Sequence, residues 1–282
     1  MRLILYYIMC LMILASCNES NDTIIRQERK LPANMIYDYE CVTQSSNANK
    51  ISDYLSKADE YLYTITTADI EVSDKEQSEF GDQFLLKAKK EKDFQIDETD
   101  PVNAKLKTVL YDLLRVRENP TSIKYSIYLI KDTATINAYT VGGKIFVTTS
   151  IITRCKNDDQ LYAIIGHEIG HNEKGHIKAT LKQLKASNKY FGTDWGSSFL
   201  TVKKILTGSF NQKNEVESDY YGLDLTWKLG FDVCAIKSFW DEMATNEDHD
   251  MMRDFFGTHP YSETRSSCLV KHIKTNFKQN CK

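Results

Sequence analysis

The chain has 282 residues, of which 41% are hydrophobic and 27% are charged, and this balance is typical of a globular protein, not of a disordered one. The formal net charge of -3 leaves no surplus of basic residues to neutralise phosphates. We therefore expect a folded domain that does not bind nucleic acid.

The N-terminal segment is typical of a lipoprotein signal peptide. An apolar run over Leu3–Leu14 follows a positive charge, and it is shorter than the ~20 residues that a membrane span needs. Residues 14–17, Leu-Ala-Ser-Cys, resemble a bacterial lipobox. We predict a signal peptide over residues 1–16, lipid on Cys17, and a flexible lipid-anchored tether over residues 17–34. Ordinary signal-peptide cleavage without lipid is the alternative.

Export from the cytoplasm has two consequences. The domain would face the periplasm of a bacterial cell envelope, and Asn18 after Cys17 gives a slight preference for the outer membrane over the inner one. Of seven cysteines, Cys10 and Cys17 belong to the signal peptide and the lipid site, which leaves 7 - 2 = 5. An oxidising compartment permits up to two disulfides among these five, with at least one thiol left over or paired between molecules.

Residues 35–282 are expected to form one α+β domain that is mainly helical. Apolar residues three and four positions apart predict helices at 35–70, as an N-terminal extension, at 73–92 and at 101–115. After Asn119-Pro120 the pattern becomes β-branched and aromatic, which predicts strands at 124–130, 134–140 and 144–149. A small sheet therefore precedes the next helix.

That next helix, for which Asn157 is the predicted N-cap, carries the motif HExxH at residues 167–171. His167 and His171 lie ~40° apart around the helix axis, so both imidazoles can bind one ion. Glu168 lies ~100° further round, where it can accept the proton of a water as general base. Zinc lowers the pKa of a bound water to ~7, so the motif predicts hydrolysis at neutral pH. On the motif alone, two histidines on an ordinary helix are the alternative.

A catalytic zinc site needs a third protein ligand, and the helix predicted over 212–229 offers one. Glu215 and Asp219 are four residues apart on one face, whereas Glu217 lies ~200° round from Glu215. We predict one Zn²⁺ per chain, bound by the two motif histidines and Glu215, with Asp219 accepting the free ring N–H of a ligand histidine. A solvated acidic helix face is the alternative.

Two features between the ligand-bearing helices have open interpretations. His176 lies ~140° round the helix from His171, so we expect it behind the ligands or in a structural role. Residues 185–212 contain aromatic residues and glycines, a composition that fits a lid over the cleft as well as simple core packing.

Five features in order resemble the HtpX-like and CAAX-prenyl endopeptidase family, and within it the lipoprotein or periplasmic branch. They are Asn137-Ala138, Gly142-Gly143, HEIGH at 167–171, EVESD at 215–219, and Thr258-His259-Pro260 with Arg265. One departure is Val141, which stands where the family usually has a proline. The resemblance covers roughly residues 70–275.

The resemblance implies a gluzincin metallopeptidase fold, with a small sheet whose edge strand lies over the HExxH helix. Gly143–Thr149 would be that edge strand, and the predicted substrate-strand residues are Asn137, Gly143, Ile145 and Phe146. His259 and Arg265 match catalytic positions near the metal or the developing oxyanion; pinning the C-terminal helix is the alternative.

The implied activity is zinc-dependent endopeptidase action on unfolded or misfolded envelope proteins. A zinc-containing chaperone or assembly factor with little proteolysis is the alternative function. Glu168 favours the enzyme, because a pure binding site does not need that carboxylate.

Overall fold

The computed structural model describes residues 26–44, 64–92, 94–191, 210–245, 259 and 263–281. The predicted signal peptide, Cys17, most of the predicted lid and residues 45–63 of the N-terminal extension lie outside the described residues. The helices are α1 (Glu40–Gln44), α2 (Asp74–Ala88), α3 (Val102–Arg115), α4 (Thr149–Arg154), α5 (Asp158–Glu173), α6 (His176–Phe191), α7 (Gln212–Lys228), α8 (Ala235–Thr245) and α9 (Glu263–His272). The strands are β1 (Ser126–Ile130), β2 (Ala138–Val141) and β3 (Lys144–Thr148). The predicted α+β class, mainly helical with a small sheet, is confirmed.

Local capping signals place the helices close to their predicted starts. The Ser73 hydroxyl accepts the N–H of Glu76, and the Glu76 carboxylate accepts the N–H of Ser73, so a capping box opens α2. The side chain of Asp100 accepts the first backbone N–H of α3, and that of Asn157 accepts a backbone N–H in the first turn of α5. The helix that carries the motif therefore begins where the sequence predicts it.

The strand order is β1–β3–β2, with β1 parallel and β2 antiparallel to β3. The prediction that Gly143–Thr149 forms the edge strand is wrong, because β3 is hydrogen-bonded on both sides. Gly142 and Gly143 have φ values of 55° and 85°, and this two-residue turn folds β3 back against β2. Ile145 and Phe146 are consequently 0% exposed in the middle of the sheet and cannot pair with a substrate strand.

The edge strand that contacts the motif helix is β2. The N–H of Thr148 donates to the carbonyl of Asn137, so the antiparallel alternation directs the backbone groups of Ala138 and Thr140 away from β3. The opposite edge, on β1, is covered in part by residues 95–97. An added strand can therefore pair with the sheet beside α5.

The two helices that carry the predicted ligands, α5 and α7, pack backbone against backbone. A Cβ on Gly222 would lie 2.7 Å from the backbone nitrogen of His167, and a Cβ on Gly170 would lie 2.9 Å from the Cα of Ser218. Any side chain there would force the helices apart. The glycines thus bring Glu215 within reach of the motif histidines.

The described part of the predicted tether packs on the domain. Arg26 forms an ion pair with Asp159 at 2.8 Å, and Arg29 lies over the ring of Trp227. The predicted tether of residues 17–34 is therefore too long at its C-terminal end. Its polar composition suggested flexibility, but its arginines have acidic and aromatic partners on the domain surface. None of the helices in the described part of the chain is long and apolar enough to cross a membrane.

Disulfides join Cys41 to Cys268 and Cys234 to Cys281, and Cys155 is a free thiol. Two disulfides are the upper limit expected for five cysteines, and the odd number leaves one thiol. The first bond links positions 227 residues apart and fastens α1 to α9.

Candidate metal centre and active site

Side chains from α5 and α7 meet the side chain of His259, which precedes α9, and together they offer four possible metal ligands. His167, His171, Glu215 and His259 are all buried, and each offers one donor atom within 4.8 Å of the other three. Nε2 of His167 lies 3.0 Å from Nε2 of His171 and 3.2 Å from Nδ1 of His259. The two carboxylate oxygens of Glu215 each lie 3.3 Å from an imidazole nitrogen, one on His171 and one on His259.

These distances fit a metal ion. Bonds of ~2.0–2.1 Å in a tetrahedral zinc site imply about 3.3 Å between neighbouring donors. The observed separations run from 3.0 to 3.5 Å. In addition, Oε1 of Glu215 is buried and has no hydrogen-bond partner among the described residues. A cation at the centre would satisfy that oxygen, which would otherwise be costly to bury.

Asp219 lies behind His167, as the four-residue spacing on α7 predicts. Its Oδ1 is 2.8 Å from Nδ1 of His167. Burial disfavours a charge on the ring, but the hydrogen bond and the charge of Asp219 raise the pKa of His167 to about 9. For His171, burial lowers the pKa well below its usual range. Because only a neutral imidazole binds a metal, a cation has to displace a proton from His167 at neutral pH, whereas His171 is already neutral.

Arg265, on α9, contacts the carboxylates of Asp219 and Glu215. Its guanidinium contacts both oxygens of Asp219, at 2.5 and 2.8 Å, and lies 2.8 Å from Oε2 of Glu215. Burial opposes the charged form of Glu215, but the nearby Arg265 and His259 hold its pKa well below its usual range. These contacts fit the alternative given above, in which Arg265 pins the C-terminal helix; its role at an oxyanion stays a prediction.

His259 contacts three functional groups at once. Its Nδ1 faces the donor cluster, while its Nε2 lies 2.9 Å from the carbonyl oxygen of Ala138 and 3.3 Å from Oε1 of Glu168. If Nε2–H donates to Ala138, Nδ1 carries the lone pair that a metal requires. His259 thus supplies the fourth donor, in the position that a catalytic site keeps open for water. It also occupies the outward-facing carbonyl of Ala138 on β2.

Glu168, the predicted general base, is 2% exposed, and its Oε2 has no hydrogen-bond partner in the described part of the chain. Burial raises the pKa of this carboxyl. A narrow apolar cavity lined by Ile164, Ile236 and Trp240 adjoins it. The carboxylate is therefore held beside the donor cluster with one oxygen available to a reacting group.

Asn172, the residue directly after the motif, ties α5 to the sheet. Its Oδ1 accepts from the N–H of Gly143 at 2.9 Å and from the amide of Gln77 at 3.0 Å. Its Nδ2 donates to Oγ1 of Thr140 at 2.8 Å and to the carbonyl of Glu168 at 3.0 Å. The N–H of Gly143, a predicted substrate contact, is thus already used. Sequence reasoning missed Asn172, because a lone polar residue after the motif gives no periodic signal.

The HExxH helix, the second helix with a glutamate ligand and the edge strand beside them define a metallopeptidase fold and site. The chain belongs to peptidase family M48: residues 101–273 match the family, described as "Peptidase family M48", which is 273 - 101 + 1 = 173 of the 282 residues.

Individual relatives support this assignment. The chain is 28% identical over 197 residues to "Mitochondrial metalloendopeptidase OMA1" of Schizosaccharomyces pombe, covering 67% of this chain and 55% of the relative. It is 25% identical over 182 residues to "Metalloprotease LoiP" of Escherichia coli, covering 61% and 69%. It is 24% identical over 188 residues to "Beta-barrel assembly-enhancing protease" of Yersinia pestis, covering 60% and 38%. The chain thus spans about half the length of several relatives that it matches.

Proposed function

We propose that this protein is a zinc-dependent endopeptidase that hydrolyses peptide bonds in unfolded or misfolded polypeptides. The observation that carries the proposal is the position of Glu168, a buried carboxylate 3.3 Å from His259 of the four-donor cluster and on the helix that packs against the edge strand β2. Metal ligands and a strand edge suffice for a binding protein, but a carboxylate with an available oxygen beside them is what general-base hydrolysis requires.

The residues divide the work of hydrolysis among them. Zinc held by His167, His171 and Glu215 would polarise the scissile carbonyl and lower the pKa of a water. Glu168 accepts the proton of the attacking water and delivers it to the leaving amine. A pKa raised by burial suits both steps, because a general base works best when its pKa is near the operating pH. Asp219 keeps the His167 ring turned with Nε2 towards the ligand cluster.

The edge strand supports the proposed substrate class. Ala138 and Thr140 direct backbone N–H and C=O groups away from β3, so a substrate in extended conformation can add to the sheet as another strand. Pairing of this kind reads the backbone and not a fixed sequence. Folded proteins rarely present such a strand, whereas unfolded ones do.

The proposal includes a closed state. His259 takes the fourth donor position and the Ala138 carbonyl, two places that water and substrate would need. His259 therefore has to move before substrate binds. A second candidate function, a zinc-containing chaperone or assembly factor with little proteolysis, is favoured by this same observation.

The deciding experiment compares Glu168→Gln with the wild type and with Glu79→Gln, a matched change on the exposed face of α2. Each is made alone and together with His259→Ala, so that closure cannot mask activity. With unfolded casein and zinc-loaded protein, Glu168→Gln should lower turnover by ~10²- to 10⁴-fold, in kcat more than in KM. Zinc content and Tm should stay near wild type. Unchanged cleavage by Glu168→Gln would remove the carboxylate from the mechanism, and no cleavage by any zinc-loaded variant would favour the chaperone.

We also propose that the protein is lipid-anchored through Cys17 at a bacterial cell envelope and faces the periplasm, with the outer membrane slightly preferred. The lipobox-like sequence supports this, and the two disulfides fit an oxidising compartment. The similarity to a beta-barrel assembly-enhancing protease is in keeping with an envelope location. Labelling with a radioactive fatty acid should mark the wild type and not Cys17→Ala.

A further inference from the structure

The second motif histidine, His171, has another histidine behind it where His167 has a carboxylate. Nδ1 of His171 lies 3.1 Å from Nδ1 of His176, and Nε2 of His176 lies 2.9 Å from Oε2 of Glu217. The first two side chains are buried, and the side chain of Glu217 is 24% exposed. These three residues, from α5, α6 and α7, form a row from the donor cluster to the surface.

One requirement fixes the hydrogens along this row. A neutral histidine that binds a metal through Nε2 carries its hydrogen on Nδ1. His171 Nδ1 then donates, so the facing Nδ1 of His176 has to accept. His176 consequently carries its hydrogen on Nε2, where Glu217 accepts it. The other tautomer of His176 would set two N–H groups against each other and leave the carboxylate facing a lone pair.

We propose that Glu217 is a positioning residue for the metal centre, which fixes the tautomer and the orientation of His171 through His176. Asp219 acts in the same way on His167, but directly. The inference rests on the metal centre of the proposed function. Because its test measures metal affinity and not cleavage, the two can fail separately.

The other neighbours of the row do not replace Glu217. Oγ of Ser218 lies 3.3 Å from Nδ1 of His176, so its hydroxyl can donate to the same lone pair but cannot accept the hydrogen on Nε2. Nζ of Lys213 lies 3.9 Å from Oε1 of Glu217, the oxygen that does not face His176. Lys213→Gln therefore changes the charge next to Glu217 and leaves the row intact.

The experiment measures the zinc dissociation constant of the full chain by competition with a chromogenic chelator. Glu217→Leu should weaken zinc binding by ~10- to 100-fold, the usual effect of losing a hydrogen-bond partner behind a metal ligand. Glu217→Gln keeps an acceptor oxygen and should remain near wild type, as should Lys213→Gln. In the zinc-loaded wild type, nitrogen-15 NMR of labelled histidines should show His176 with its hydrogen on Nε2.

Three results would overturn the inference. The first is wild-type zinc affinity in Glu217→Leu, including the case in which Tm falls, because that would mean a purely structural role. The second is an NMR spectrum with the hydrogen of His176 on Nδ1. The third is an additive loss of zinc affinity when His176→Phe is combined with Glu217→Leu. Because both residues act through one row of hydrogen bonds, the double variant should bind zinc no more weakly than the weaker-binding single variant.

Discussion

Oδ1 of Asp219 lies 2.8 Å from Nδ1 of His167, on the ring nitrogen opposite the one that faces Glu215. The same carboxylate accepts two hydrogen bonds from Arg265, so its position is fixed from behind. The His167 ring is therefore oriented from the side opposite the donor cluster. Because Glu215 and Asp219 are four residues apart on α7, one helix face supplies both a ligand and the support of another ligand.

Asp219→Asn should weaken zinc binding by ~10- to 100-fold, because the amide cannot replace the carboxylate at both His167 and Arg265. Asp219→Ala should lower the Tm of the metal-free protein further, since it leaves Arg265 buried with one charged partner fewer. Chelator competition and thermal melts measure the two effects. Asp241→Asn, an acidic-to-amide change at an exposed carboxylate that pairs with Lys237 on α8, is the control; equal losses in both variants would contradict the assigned role.

Asn172→Leu should destabilise the fold and weaken binding of long substrates. The change leaves the N–H of Gly143 and the amide of Gln77 buried without their acceptor, at ~1–3 kcal/mol for each group. Asn172→Asp keeps that acceptor but loses the two donated hydrogen bonds and buries a carboxyl group against the carbonyl of Glu168, so it should also destabilise the fold. Denaturant unfolding measures stability, and KM for an extended peptide compared with a short one measures the alignment of β2. A KM that rises equally for both peptides would argue against alignment.

The local parts of the site could be predicted from the sequence. HExxH and the Glu215–Asp219 pair depend on helix geometry over five residues, and Asn157 and Ser73 mark helix starts by chemistry within one turn. These signals do not depend on how distant segments meet.

The non-local parts could not be predicted. The place of β3 in the middle of the sheet depends on its parallel pairing with β1, and no residue pattern within β3 distinguishes a central strand from an edge strand when both faces are buried. Asn172 joins Gln77, 95 positions away, and no periodicity reports such a contact. The helical wheel correctly predicts that Glu217 points away from the ion. It does not predict that His176 lies between Glu217 and His171.

Asp74 should make the stability of the protein depend on pH in the acid range. The hydrogen bond from Lys178, together with those from Ser122, lowers the pKa of Asp74. A carboxyl with a depressed folded pKa stabilises the protein above its unfolded pKa of ~3.9, and this contribution disappears as pH falls through the folded value.

Asp74→Asn should therefore be less stable than wild type at pH 7, by no more than ~1 kcal/mol because the side chain is partly solvated. The difference should shrink as the pH falls below ~4. Denaturant unfolding of the metal-free protein at both pH values measures it, so that zinc release does not contribute. A difference that stays constant down to pH 2 would show that packing and not charge is responsible.

His259 is the residue whose substitution should increase activity. Its imidazole contacts the donor cluster, Glu168 and the carbonyl of Ala138, so the closed arrangement excludes both water and a substrate strand. His259→Ala removes all three contacts, while His167, His171 and Glu215 remain as ligands. If the open form is ~1–10% populated in the wild type, cleavage of unfolded casein should rise by ~10- to 100-fold, and zinc should bind more weakly because one donor is lost. His259→Gln, which retains a polar side chain of similar reach, should give a smaller increase.

The competing interpretation from the sequence, that His259 assists at the oxyanion, predicts the opposite sign: turnover in His259→Ala would then fall by the ~10²- to 10³-fold that loss of one oxyanion donor costs. Steady-state rates at matched zinc occupancy separate the two outcomes, because one interpretation requires an increase and the other requires a loss.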